Sequence, residues 1–294
     1  MRYLNTILRL SITITGMRQS KKRNIRRKTR KQNKKQRGGQ ATPTFSFMSY
    51  GNDKFKESKE RIRKEAEEMG CFNGQIKIYS PDDLSADFKS AVGDVLNEKR
   101  GGGYMTWKGY VISDMLSKMK DNDILLYADA GCTLQSAGVS RLKEYMKMIA
   151  QDTGKCVLVM RLRDQLAKKW TTNEIMNYFG VKMDDPIFNK NQILSGFVMC
   201  RKCPESVEVI GKWLDVAKKR PDLFTDRYND DSKKLNPDFI ENRHDQTILS
   251  MIVDTEPFNK NCVVMEEEIE RTSEPVRPEE YFKDKPIVAS RKRI

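Results

Sequence analysis

Two rhythms of apolar residues alternate along the chain. Residues 44–51, TFSFMSYG, alternate apolar and polar and close on glycine, which predicts a first strand and a tight turn. Residues 53–69 place Phe55, Ile62 and Ala66 on one side of a charged helix, with Gly70 as its stop. QIKIYS at 75–80 predicts the second strand, a helix around 85–99 leads to glycines 101–103, and a further helix is expected over 109–119. DILLYA at 123–128 has the composition of a buried strand. A helix over about 138–150, a strand at 156–162, a helix at 172–179, a strand at 192–200 and a helix at 205–219 follow. HDQTILSMIVD at 244–254 predicts a helix and 262–266 a short last strand. This alternation points to an α/β fold, a Rossmann-type, mostly parallel sheet with helices on both faces. Ligands bind such sheets at the carboxyl ends of the strands, so functional residues should lie just after strands. Neither GxGxxG nor a P-loop is present.

Charge divides the chain. Of 294 residues, 55 are Lys or Arg and 41 Asp or Glu, a formal net charge of +14. The first 39 residues hold 14 of the basic residues and no acid, which leaves residues 40–294 balanced at 41 of each sign. The excess therefore characterises an arm at 1–40, expected to be disordered, and not the single domain expected over 41–294. Residues 18–39 carry no aromatic side chain on which a base could stack, so weak nonspecific polyanion binding is expected there and a dedicated nucleic-acid function is not. Residues 3–15 are moderately apolar and precede the basic run, the reverse of a signal peptide. The reading is a cytoplasmic protein; mitochondrial or nuclear targeting and a start at Met17 stay open. No apolar run reaches the roughly 18 residues of a transmembrane segment. Six cysteines are too sparse for a secreted disulfide scaffold.

Four segments carry candidate chemistry. LLYADAGC at 125–132 delivers Asp129 to the end of a strand, where small residues leave room for a hydrated cation and a diphosphate; an Asp capping a turn is the plainer alternative. ENRHDQTILS at 241–250 gathers Arg243, His244, Asp245 and Gln246 at a helix start; His244 is the chain's one histidine, and Asp245 could equally be a helix cap. RGGGYMTWKGY at 100–110 offers backbone freedom, Trp107 for stacking and Lys108 against phosphate, with a core tryptophan as the alternative. QILSGF at 192–197 carries Gly196, which permits close approach. CRKC at 200–203 lacks the second pair that a zinc site requires.

TFSFMSYGN, the SKERIRKEAEEMG helix, GGGYMTWKGYVI, DILLYADAGC, NQILSGF and ENRHDQTILS occur in this order. Together they resemble a family of glycosyltransferases of bacteria, algae and large DNA viruses of algae and protists, whose pattern runs roughly gyGyWxWKP, DxxxYxDAG, HDQS. The resemblance covers most of 44–255. It implies a GT-A-like nucleotide-diphospho-sugar transferase fold, a nucleotide-sugar donor, and a hydroxyl acceptor on a glycan, protein or lipid. It implies a divalent cation, Mn2+ or Mg2+, held by Asp129 with His244 as second ligand, and a catalytic or sugar-contacting role for Asp245 and His244. It implies a role for Trp107, Lys108, Asp129 and Gln246, and with Tyr50, Gly51, Gln192 and Gly196 these make up the expected donor site. The chain departs from the pattern at Met105, Gly109 and Thr247. Its Asp-Ala-Gly also has one carboxylate where well-characterised metal-dependent enzymes have Asp-x-Asp, so a cation needs another ligand. The rival expectation is a noncatalytic nucleotide- or glycan-binding scaffold.

Overall fold

In the computed structural model, residues 42–292 are described, and the basic arm at 1–40 lies outside the described residues. In chain order the elements are β1 (Phe45–Tyr50), α1 (Lys56–Glu68), β2 (Ile76–Tyr79), α2 (Ala86–Val92), α3 (Trp107–Ser117), β3 (Ile124–Ala128), β4 (Thr133–Leu134) and α4 (Val139–Met148). There follow β5 (Val157–Leu166), α5 (Asn173–Phe179), β6 (Asn191–Ile193), β7 (Phe197–Arg201), α6 (Pro204–Lys219), α7 (Asn229–Leu235), α8 (Asp245–Asp254), β8 (Cys262–Glu266) and β9 (Ile287–Val288).

The main sheet runs β2-β1-β3-β7-β5, and β5 also pairs with β6 and β8. Strands β1, β2, β3, β5 and β8 point the same way, while β7 and β6 run against them. The mixed α/β architecture with a predominantly parallel sheet is the one the sequence predicts. Both faces of the sheet are covered. Leu125 and Tyr127 of β3 face a core with Val111, Met115, Trp213 and Ile252; Leu126 and Ala128 face a second core with Ile62, Leu142 and Tyr145. Because β1 is sandwiched between these cores, all six of its residues are buried despite their alternation. The polar members are satisfied inside: Ser49 Oγ donates to the Ala128 carbonyl at 2.7 Å, and Ser46 Oγ accepts from the Gln75 N–H at 3.0 Å.

Four expectations change. The strand expected at 192–200 is two strands, β6 and β7, because the first pairs with the far half of β5 and the second with β3 and the near half of β5. The helix expected over 85–99 stops at Val92, where Gly93 takes φ +61°. The helix expected from 109 starts at Trp107, which puts Lys108 in its first turn. The β4–β9 pair and α7 were not foreseen. All six cysteines are free thiols, and no described helix is long and apolar enough to cross a membrane.

Helix α3 reaches the site because it lies unusually close to α6. A Cβ built on Gly109 would come within 2.7 Å of the Leu214 nitrogen and 2.9 Å of the Trp213 carbonyl carbon, both backbone atoms with no side chain to yield. Gly109→Ala should therefore push the helices apart and destabilise the fold by about 1–3 kcal/mol, as overpacking does. Urea unfolding checks this as a lower midpoint at unchanged slope.

Candidate active site

The carboxyl end of β3, the start of α3, the start of α8 and the break between β6 and β7 meet at one cavity of about 510 Å³. That volume is in the range of small-molecule sites. Tyr50, Gly51, Trp107, Lys108, Asp129, Gly196, His244, Asp245 and Gln246 all line it, so nine of the ten sequence-predicted residues come together.

Its centre is an ammonium between two carboxylates. Lys108 Nζ lies 3.0 Å from Asp129 Oδ1 and 2.7 Å from Asp245 Oδ2, and it also donates to the Ser195 carbonyl at 3.2 Å and to Ser195 Oγ at 3.3 Å. Its side chain is 2 % exposed. Burial opposes its charge, but the two carboxylates outweigh burial and hold its pKa above the usual lysine value. The sequence sets Lys108 against phosphate; in the structure its ammonium is paired with Asp129 and Asp245. The carboxylates differ: Asp245 is enclosed, whereas the Asp129 side chain is 42 % exposed. Tyr127 donates to Asp129 Oδ1 at 2.5 Å, and burial first, then the Asp129 charge, keep that phenol protonated. Gly196 allows the approach, since a Cβ there would sit 3.2 Å from Asp129 Oδ2. Asp245 is the first residue of α8, but its carboxylate is turned to Lys108.

Gln192 is the exception among the predicted residues. It is fully buried beside the cavity, accepts from Gln246 Nε2 at 2.8 Å and donates to Thr247 Oγ1 at 3.0 Å. Thr247 in turn donates to the Trp170 carbonyl and accepts from the Arg243 N–H. Gln192 is thus a positioning residue, and the methyl-bearing Thr247 does the hydrogen bonding open to a serine. Trp107 is only 6 % exposed and stacks on Tyr50 with ring centroids 3.7 Å apart, while its Nε1 donates to the Gly101 carbonyl at 3.3 Å. One face of the expected stacking platform is already covered by protein.

The three glycines have a geometric reason. Gly101, Gly102, Gly103, Tyr104 and Met105 all have positive φ, and Tyr104 and Met105 donate N–H groups to the carbonyls of Arg100 and Gly101. This is a turn of left-handed helix, a conformation that costs L-residues roughly 1–2 kcal/mol each and glycine little. The turn puts the Tyr104 ring against His244, centroids 4.8 Å apart. His244 is itself strained at φ +58°, ψ −122°, a position worth about 1–3 kcal/mol of backbone energy. Its Nδ1 pairs with the Phe224 carbonyl at 2.7 Å, which makes Nδ1 the protonated nitrogen and leaves Nε2 with a lone pair and no protein partner.

Arg243, the cation of the 241–250 cluster, lines the same cavity. Among the described residues it makes no ion pair. Its guanidinium lies 4.2 Å over the Trp170 ring, one nitrogen donates to Gln165 Oε1 at 3.3 Å, and Nε has no partner. Burial first, then Arg291 and Arg100, lower its pKa from the arginine value. The other cavity arginines are committed: Arg100 to Asp226 and Glu241, Arg291 to Glu270.

A divalent cation on Asp129 and His244 would need further oxygen or nitrogen ligands at about 2–2.5 Å. Among the described residues no group of three or more His, Cys, Asp or Glu comes together to hold a metal. The side that Asp129 shares with Asp245 is filled by the ammonium. The lone pair on His244 Nε2 is the right chemistry, but the donor set as a whole does not fit the ion.

No protein-family model matches the sequence, and no curated protein matches it. Among solved structures, the chain is similar to a glycosyltransferase involved in glycosylation of the major capsid of PBCV-1, with 12 % identity, TM-score 0.46, and 84 % of this chain and 92 % of that chain covered. It is also similar to mouse xyloside xylosyltransferase 1, with 10 % identity, TM-score 0.42 and coverages of 77 % and 87 %. A third is the galactosyltransferase LgtC in complex with donor and acceptor sugar analogues, with 13 % identity, TM-score 0.37 and coverages of 83 % and 86 %.

Two outcomes follow from this geometry. Trp107→Ala should cost about 3–5 kcal/mol of stability by chemical unfolding, as losing a buried aromatic does. His244 has its pKa below the ordinary 6.5 because of burial and then the Arg100 charge. The unfolded chain thus binds a proton that the native site refuses, so His244 contributes stability above about pH 6.5 that is lost as pH falls. The carboxylates with lowered pKa, Asp83, Glu205, Asp222 and Glu268, act only at lower pH, and the Cys203 thiol, brought down to about 6 by its hydrogen bond with Cys156, acts mainly above that pH and equally in both proteins. Melting temperature should fall between about pH 7 and 5 in the wild type and fall less in His244→Asn, whose amide can replace the Nδ1 donor.

Proposed function

We propose that the chain is a glycosyltransferase, moving a sugar from a nucleotide-diphosphate donor to a hydroxyl on a glycan, protein or lipid. One observation carries the reading. The segments whose order resembles the glycosyltransferase family are far apart in sequence, yet Tyr50 and Gly51, the glycine turn with Trp107 and Lys108, Asp129 to Cys132, Leu194 to Gly196, and Arg243 to Gln246 all line one cavity. Residues that served only the core would have no reason to converge there.

In the reaction the acceptor oxygen bonds to the anomeric carbon, the bond from that carbon to the diphosphate breaks, and the hydroxyl proton passes to a base. Asp129 is the accessible carboxylate, oriented by Tyr127 and Lys108, and takes that role in this reading. Asp245, given the catalytic role by the sequence resemblance, is enclosed and serves to fix Lys108. The unpartnered His244 Nε2 is an acceptor for a sugar hydroxyl.

The test is a panel of nucleotide-diphospho-sugars, with release of nucleoside diphosphate followed by chromatography and binding by thermal shift. One donor should shift the melting temperature and be hydrolysed slowly without acceptor. Asp129→Asn should lower that rate about 100-fold or more, the scale of general base catalysis, at little cost in stability. A donor that binds but is never cleaved would turn the reading to a binding scaffold, and a panel with no binding would end it.

A further inference from the structure

Three carboxylates line the cavity; Glu270 is paired with Arg291, and for the other two, Asp129 and Asp245, the chain supplies a cation of its own. Lys108 Nζ is surrounded by Asp129 Oδ1 at 3.0 Å and Oδ2 at 3.3 Å, Asp245 Oδ2 at 2.7 Å, and the two Ser195 oxygens at 3.2 and 3.3 Å. These spacings suit an ammonium and are too long for Mg2+ or Mn2+, whose oxygen ligands sit nearer about 2.0–2.2 Å. The lysine is not free to swing aside. It belongs to the first turn of α3, whose backbone is locked against Leu214 and Trp213 at Gly109. Its departure would leave Asp245, 1 % exposed, buried without a counter-charge.

Two residues beyond Asp129, where a second acid could complete a metal site, stands Gly131. A Cβ there would lie 3.5 Å from the Arg291 Cα, and the Gly131 carbonyl accepts from the Lys292 N–H at 3.0 Å. That flank is occupied by a chain segment carrying a guanidinium instead of a ligand. Among the described residues one cavity arginine makes no ion pair, Arg243, its guanidinium 4.2 Å from the Trp170 ring centroid and its Nε without a hydrogen-bond partner. A guanidinium offers paired N–H donors that match two phosphate oxygens.

We propose that Lys108 is the resident cation between Asp129 and Asp245 in place of a divalent metal, and that Arg243 receives the donor's diphosphate, so that nucleotide binding is metal-independent. The diphosphate half rests on the glycosyltransferase reading; the Lys108 half stands on its own geometry.

The full chain is tested in two ways. Mn2+ is titrated into the wild type and Lys108→Ala, with free ion followed by electron paramagnetic resonance. The wild type should bind no Mn2+ below about 1 mM, and Lys108→Ala should gain a site built from Asp129 and Asp245. Should Lys108→Ala misfold, the wild-type titration decides. Micromolar Mn2+ binding by the wild type that Asp129→Asn abolishes overturns the proposal. In the second arm, UDP, GDP, ADP and CDP are titrated calorimetrically in EDTA and again in Mn2+. Affinity should be the same within about twofold in both buffers, and Arg243→Gln should weaken it about tenfold or more. Binding seen only with Mn2+, or untouched by Arg243→Gln, overturns the second half. If no nucleotide binds in either buffer, the donor reading fails, and the Mn2+ titration still judges Lys108.

Discussion

A buried lysine between two aspartates sets the terms for everything around it. Buried ions are tolerated only when their partners are held in good geometry, and each partner here comes from a different part of the chain. Lys108 arrives on α3, Asp129 at the end of β3, Asp245 at the start of α8, and Ser195 from the gap between β6 and β7. The close contact of α3 with α6 at Gly109 and the two-strand division of 191–201 are both conditions for that meeting. Misplacing Lys108 or Asp245, the two enclosed charges, would strand the other in the interior.

The same site concentrates strain and incomplete bonding. His244 has a backbone conformation suited to glycine, and its Nε2 has no partner, nor has Arg243 Nε. A network behind them holds the segment rigid: Gln192, Gln246 and Thr247 bond one another and the Trp170 carbonyl. Asn242 also donates to the Leu223 and Thr225 carbonyls and accepts from the His244 N–H. Two cavity-lining side chains with a nitrogen lacking a partner among the described residues are thus backed by a hydrogen-bonded layer that holds them in place.

Much of this was legible in the sequence because it follows from periodicity. The strands delivering Tyr50 and Asp129 and the helix carrying Asp245 are apolar runs with polar residues at their ends, and the chemistry sits where such ends should be. What was hidden depends on direction or on absence. Nothing adjacent to Lys108 tells whether its ammonium turns outward to phosphate or inward to aspartate. Gln192 reads as a site residue because it precedes Ser195 and Gly196, and its enclosure against Gln246 and Thr247 of α8 depends on packing between distant segments. That Arg243 makes no ion pair among the described residues is likewise a matter of tertiary placement, which no local pattern encodes. Strands β4 and β9 are two residues each, too short for any rhythm, and α7, NDDSKKL, is too polar to show an apolar stripe.

The left-handed turn at Gly101–Met105 bears on how the sequence can change. Every single-base change that alters a glycine codon without ending the chain installs a side chain, and a Cβ at Gly103 would meet the Leu96 Cα at 2.8 Å as well as the wrong backbone handedness. Gly101 and Gly102 share that handedness. A missense change at Gly103 meets a backbone clash as well as the handedness, whereas at Gly101 and Gly102 it meets the cost of roughly 1–2 kcal/mol that Tyr104 and Met105 already bear, plus movable side chains. Backbone chirality thus limits stepwise substitution in this cavity-lining turn, most tightly at Gly103, where the loop itself would have to be rebuilt.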